Sequence, residues 1–243
     1  MISFIVTAIK IIFLLGFLIL IHEGGHFIVA KLCKVRVNEF AIGFGPVLLK
    51  KQGKQTKYVL RLIPLGGFVS LEGEEERSDK EGSFSKASIG KRIAIVLAGG
   101  MINIVFGLLV FFLLSLSFTN LYSALINTKE FALSIVDSLK MLFTGNVTVN
   151  DLMGPIGISE VVAQTSKLDE FIYILSLVSL SLGVTNLLPF PPLDGGKVLL
   201  LIIEAIRRKP LKEKVEINIQ LIGFSLMILL SIYVAYNDIL RAF

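Results

Sequence analysis

Four stretches of the chain are apolar over a length that crosses a bilayer, and the segments between them are polar, charged or broken by Gly and Pro. A helix rises about 1.5 Å per residue, so about 20 apolar residues cover a hydrocarbon core of about 30 Å. The stretches are roughly 3–32, 92–118, 171–189 and 217–237. A shorter apolar piece at 197–206 follows a Pro/Gly break and reads as a short helix returning to the surface. Between the first two runs the pattern changes. VRVNEFAIGFG, PVLLKK, YVLRLIPL and GGFVSLEGE are rich in β-branched and aromatic residues, and Gly45-Pro46, KQGKQTK and Gly66-Gly67 divide them. That predicts short β-hairpins over about 35–72, followed by the solvated linker EGEEERSDKEGS. In the segment 119–170, FALSIVDSLKMLFTG has helical apolar spacing and is predicted to lie on the membrane. The expected fold is therefore an all-α polytopic membrane protein of about four transmembrane helices. It carries a small membrane-associated β-hairpin element after the first helix, and residues 1–243 form one membrane-embedded domain.

Composition agrees with this pattern. The 243 residues are 54% hydrophobic and 18% charged, against about 45–50% apolar and about 25% charged in soluble domains. Mean hydropathy is +0.79. The net charge of +5 is spread without a long basic block, so nucleic acid is not an expected partner and the bilayer is. Segment 31–92 holds 13 of the 24 Lys and Arg, and segment 197–214 holds six. Segment 119–170 holds three, beside six acids: Glu130, Asp137, Asp151, Glu160, Asp169 and Glu170. Positive loops stay cytoplasmic, which predicts that 33–90 and 197–215 face the cytoplasm and both termini face outward. No small-residue cleavage site follows the first run, so it is expected to be a retained span. The one cysteine, Cys33, excludes an internal disulfide.

The first span contains His22-Glu23-Gly24-Gly25-His26, the H-E-x-x-H pattern on a predicted helix. Ionisable side chains inside a span are rare and usually functional. Residues four apart leave the same helix face one turn apart, so both imidazoles can grip one Zn²⁺. Glu23 sits beside the metal as a general base, able to take a proton from a water that the metal acidifies. These are the only two histidines in the chain. A catalytic zinc needs a third protein ligand, which here must be Asp, Glu or Cys. Cys33 lies seven residues past His26, about 10 Å along the helix, and cannot reach. Asp194, in TNLLPFPPLDGGK, is the best candidate, because the prolines free the chain to turn inside protein. The alternative is an Asp making an ordinary turn with Gly195.

These motifs resemble the site-2 protease family of intramembrane zinc metalloproteases, most like the bacterial regulator of sigma-E protease branch. The first motif is matched by His22, Glu23, Gly25 and His26. The N-x-x-P-x-P-x-L-D-G motif is matched by Asn186, Pro189, Pro191, Leu193, Asp194 and Gly195. FAIGFGP (40–46), PLGGFVSLEGE (64–74) and GPIGI (154–158) are also similar to that branch. The resemblance implies that His22, His26 and Asp194 bind one Zn²⁺ per chain and that Glu23 is catalytic. It implies that 35–72 is a membrane-associated β element and that Asn186 holds substrate. It also suggests single-span membrane protein substrates, such as anti-sigma factors or signal-peptide remnants, in regulated intramembrane proteolysis. Three departures stand out. The branch usually carries PDZ domains before GPIGI, and here that interval is too short for one. Ala98-Gly99-Gly100 replaces Ala-Gly-Pro, and Lys197 stands where LDGGH is common. The rival readings are a membrane zinc or ion transporter, a catalytically inactive membrane scaffold, and a subunit holding zinc only for stability.

Overall fold

The structure is a computed structural model, and it describes residues 2–74, 76–144 and 154–242. The part of the outer segment at 145–153, with Asp151, lies outside the described residues. Among the described residues nine elements follow in order: α1 (Ile2–Leu32), β1 (Val37–Gln52), β2 (Lys57–Leu71), α2 (Ile89–Phe118), α3 (Leu121–Phe143), α4 (Pro155–Gln164), α5 (Leu168–Asn186), α6 (Asp194–Arg207) and α7 (Glu213–Ala242). Among the described residues four helical stretches are long and apolar enough to cross a membrane: Ile5–Leu32, Ile89–Phe118, Leu168–Asn186 and Glu213–Leu240. They coincide with the four apolar runs of the sequence. The third helix stops at Asn186, three residues before Pro189, because a residue preceding proline is held out of the α region and proline cannot extend a helix.

Two compact units are built from interleaved stretches. The first comprises Met1–Ile11, Ile104–Ser181 and Phe224–Phe243. In it Phe111 stacks on Phe131 with ring centroids 4.1 Å apart, and Lys10 Nζ donates to the Thr165 carbonyl at 2.7 Å. Buried Asp238 on α7 accepts the backbone N–H groups of Gly154 and Gly157 at 3.1 and 3.0 Å. It thereby satisfies donors at the N-terminus of α4 that have no partner within that helix. In the interval where the branch carries a PDZ fold, the described residues form α3 and α4.

The second unit comprises Ile12–Asn103 and Leu182–Gly223. Its core joins Ala30, Val35, Val37, Leu71, Phe84, Ile95, Val96 and Leu201. The hairpins expected at 35–72 are two long antiparallel strands whose register breaks repeatedly. The second half of β1 pairs with the first half of β2 as a hairpin, Gln52 opposite Lys57 and Leu49 opposite Leu60. The first half of β1 pairs with both ends of β2, Val37 opposite Leu71 and Ala41 opposite both Phe68 and Val59. Gly43 and Gly66, at φ +85° and +120°, permit these bends, since a Cβ there would be strained. Phe27 on α1 meets Phe40 on β1 edge to face at 5.1 Å, which seats the sheet against the first helix.

The linker after β2 is pinned by Glu72. Its carboxylate accepts from Ser78 Oγ at 2.7 Å, has Lys80 Nζ at 3.1 Å, and accepts from Asn38 Nδ2 at 3.1 Å. These partners hold the carboxyl at about 2, below its ordinary 4.5. A depressed carboxylate stabilises the fold above its unfolded pKa and loses that contribution as pH falls through the folded value. Glu72→Gln is therefore expected to lower the melting temperature at neutral pH and to change it little near pH 2. An equal loss at both pH values would contradict that role for the carboxylate.

Candidate metal centre

α1 places His22 and His26 on one face, one turn apart, with ring centroids 4.8 Å apart. The Pro-rich turn after α5 then brings in Asp194, the first residue of α6. An acid at that position is favoured by the positive end of the helix dipole. The aspartate is thus a helix-terminal residue aimed at another helix, and its side chain is not spent on a turn with Gly195. His22 Nε2 and Asp194 Oδ2 are 3.2 Å apart, His26 Nε2 and Asp194 Oδ2 are 3.4 Å, and the two Nε2 atoms are 3.2 Å. The side chains are 12%, 14% and 20% exposed, so little water reaches these atoms.

The chemistry of the three atoms decides what fits between them. His26 Nδ1 donates to the Ile95 carbonyl at 2.8 Å, which leaves its Nε2 as a lone pair in the neutral ring. The Asn103 Nδ2 atom lies 3.4 Å from His22 Nδ1. Exchanging the amide's oxygen and nitrogen lets the oxygen accept the His22 Nδ1 proton, the tautomer in which the second Nε2 lone pair turns inward for a metal. Asp194 Oδ2 is buried with no hydrogen-bond donor. Two lone pairs and a carboxylate oxygen therefore face one another at contact distance, an arrangement that repels itself unless a cation lies between them. A tetrahedral ion bonded at about 2.0–2.1 Å has ligand atoms separated by about 3.3–3.4 Å, which matches the triangle. Among the described residues this is the one group of three or more His, Cys, Asp or Glu able to hold a metal ion. Glu23 is not part of the triangle. It lines the same cavity of about 190 Å³, together with Phe68, Val69 and Lys197.

Neighbouring residues explain why this geometry is possible. A Cβ on Gly25 would sit 2.6 Å from the Ala98 carbonyl, so α1 and α2 approach closely here. A Cβ on Gly99 would sit 2.3 Å from His26 Nε2 and 2.8 Å from His22 Cε1, so the imidazoles occupy the space its missing side chain leaves. Asn103, fully buried, is the residue whose role the sequence did not reveal. Its partner is 81 positions away, and a lone polar residue in a span carries no sign of what it meets. Asn103→Ala is expected to weaken zinc binding by about 10–100-fold, as loss of an outer-shell partner does, measured by competition with a chelator. Unchanged affinity would remove Asn103 from the support of His22. Asn186 is placed differently from the other motif residues. Its amide donates to the Leu182 carbonyl of its own helix at 3.0 Å, and it does not line the metal cavity.

The family model described as peptidase family M50 matches residues 10–230. A candidate zinc metalloprotease of Clostridium acetobutylicum is 29% identical, over 92% of this chain and 94% of the relative. One of Clostridium perfringens is 28% identical, over 92% and 95%. One of Streptococcus pyogenes is 43% identical over a shorter stretch, 46% of this chain and 27% of the relative. The Clostridium acetobutylicum alignment runs over 320 positions although this chain has 243 residues, so that relative carries internal residues with no counterpart here. The chain belongs to peptidase family M50. It is a multi-pass membrane metalloprotease with zinc as its cofactor.

Proposed function

We propose that the chain is a site-2-type endopeptidase that hydrolyses peptide bonds in or near transmembrane segments of single-span membrane proteins, in regulated intramembrane proteolysis. The observation that carries this reading is the triangle of His22, His26 and Asp194 with Glu23 beside it, in a cavity lined by α1, the end of β2, α2 and α6. His22, His26 and Asp194 would hold the Zn²⁺, which when bound would supply Lewis-acid polarisation of a scissile carbonyl and an acidified water. Glu23, outside the ligand triangle, takes the proton from the attacking water and returns it to the leaving amine. His26, fixed by Ile95, and His22, fixed by Asn103, keep their Nε2 atoms directed inward through the cycle.

Peptide bonds in a helix are shielded by their own hydrogen bonds, so a substrate span has to unwind before it is cut. The end of β2 offers the unwound chain a place to pair. Gly67–Leu71 are paired to β1 on one side, and among the described residues no second strand pairs with them. Phe68 and Val69 line the metal cavity, and a Cβ on Gly67 would lie 3.2 Å from Glu23 Cγ. An extended substrate adding to this edge passes the catalytic carboxylate. The Lys and Arg distribution supports a site on the cytoplasmic side with both termini outward. Anti-sigma factors and signal-peptide remnants are single-span chains of the kind this site would take.

The test is proline substitution at the edge. Phe68→Pro or Val69→Pro removes a backbone donor and disturbs the strand. Cleavage of a model single-span substrate is expected to fall by about 10-fold, roughly the worth of one to two hydrogen bonds, with zinc content kept. Undiminished cleavage would exclude the edge as the substrate platform.

A further inference from the structure

We propose that the cavity where α1 ends and α2 begins binds a phosphate-bearing anion, with the headgroup of an anionic phospholipid as the ligand its position favours. The cavity has a volume of about 660 Å³. Lys31, Lys34, Arg36, Lys86 and Lys91 converge on it from the end of α1, the turn before β1, the linker and the first turn of α2. Glu81 is the one acid among the described residues that line it.

Convergence on one concavity sets these cations apart, since Lys50, Lys51 and Lys54 on the hairpin also form no ion pair among the described residues but do not line it. Glu39 takes Lys57 and Arg61, Glu72 takes Lys80, Glu74 takes Lys197 and Glu204 takes Arg92. At the cavity only Lys86 has an acid, Asp79 at 3.5 Å. Lys31, Lys34, Arg36 and Lys91 form no ion pair among the described residues. Lys31 Nζ donates to buried Thr56 Oγ1 at 2.8 Å, which fixes its position and leaves two N–H donors for a ligand. Lys34 is held at φ +60°, the left-handed conformation in which helices commonly end on glycine. The chain keeps a cation there instead. Four positive groups without an ion pair around one concavity repel each other, and a polyoxygen anion relieves that repulsion.

Position selects the source of the phosphate. The first apolar span ends at Leu32 and the second begins at Ile89, so helices crossing over these lengths would bring the cavity to the depth of lipid phosphates. Val35, on the cavity wall, belongs to the same apolar cluster as Leu71, Ile95 and Val96, which line the metal cavity. An anion seated here braces the wall that the metal cavity shares.

The test uses the full chain in bilayers of phosphatidylcholine with phosphatidylglycerol, with lipids retained after extraction counted by native mass spectrometry. A cavity variant, Lys34→Gln with Arg36→Gln and Lys91→Gln, is compared with a hairpin variant, Lys50→Gln with Lys51→Gln and Lys54→Gln. The two lose equal charge, and melting temperatures confirm that both are folded. The wild type is expected to retain phosphatidylglycerol in preference to phosphatidylcholine. The cavity variant is expected to lose about 100-fold of that preference, and the hairpin variant to keep it. Inorganic phosphate and glycerol 3-phosphate form a second arm. If they displace the lipid, the phosphate site stands and its ligand is soluble; if they do not, it stands as a lipid site. No preference in the wild type, or equal loss in both variants, would overturn the proposal.

Discussion

Glu23→Gln is expected to keep its zinc and to lose cleavage by about 10²–10⁴-fold, the range contributed by general acid–base groups. The two halves of that result follow from where Glu23 stands. Its carboxylate is outside the triangle of His22, His26 and Asp194, so an amide in its place removes no proposed ligand. It lines the same cavity as those three, so it is the carboxylate available to take a proton from an attacking water and give it to the departing nitrogen. The substitution is nearly isosteric, and the close contacts of α1 with α2 at Gly25 are untouched. Zinc lost together with activity would make Glu23 a ligand. Activity retained would remove it from the reaction.

Asp194→Ala is expected to lose zinc, and cleavage with it. Two imidazoles one turn apart remain, but the carboxylate that closes the triangle at 3.2 and 3.4 Å is gone. The loss should exceed the about 10–100-fold penalty of removing an outer-shell partner, because a direct ligand is removed. Asp194 is also the first residue of α6, so its substitution removes a favourable charge from that helix terminus. A melting curve of the protein stripped of metal separates the two effects. Destabilisation equal with and without zinc would mark Asp194 as a helix-terminal residue and not as a ligand.

Much of this site was legible because it is local. His22 and His26 are four apart on a helix that the apolar run declares, and their shared face follows from helix geometry alone. Asp194 was legible as a candidate because its prolines end α5 and leave the chain free to turn. Its place at the start of α6 was not, since the apolar piece at 197–206 gave no sign of where its helix begins. The residues that orient the imidazoles were not legible at all. Ile95 contributes only a carbonyl, and Asn103 acts across 81 positions. Gly99 reads as a small residue in a span until the imidazoles are seen in its space. The β element shows the same limit. Its glycines and prolines announced breaks, but not that the first half of β1 pairs with both ends of β2. Lys197, noted as a departure, is paired with Glu74 on the linker and lines the metal cavity. Pairing between distant segments depends on packing, which one sequence read alone does not report.

The most direct measurement of the proposed chemistry is metal-dependent cleavage with the cut located. The purified chain is stripped of metal by a chelator, returned to bilayers with a single-span substrate, and supplied with zinc at one equivalent per chain. Products are then mapped by mass spectrometry. Cleavage is expected to vanish on stripping, to return with zinc, and to fall within or at the edge of the substrate's apolar segment. Cleavage that survives complete removal of zinc, or a cut confined to the soluble part of the substrate, would contradict intramembrane hydrolysis at His22, Glu23, His26 and Asp194.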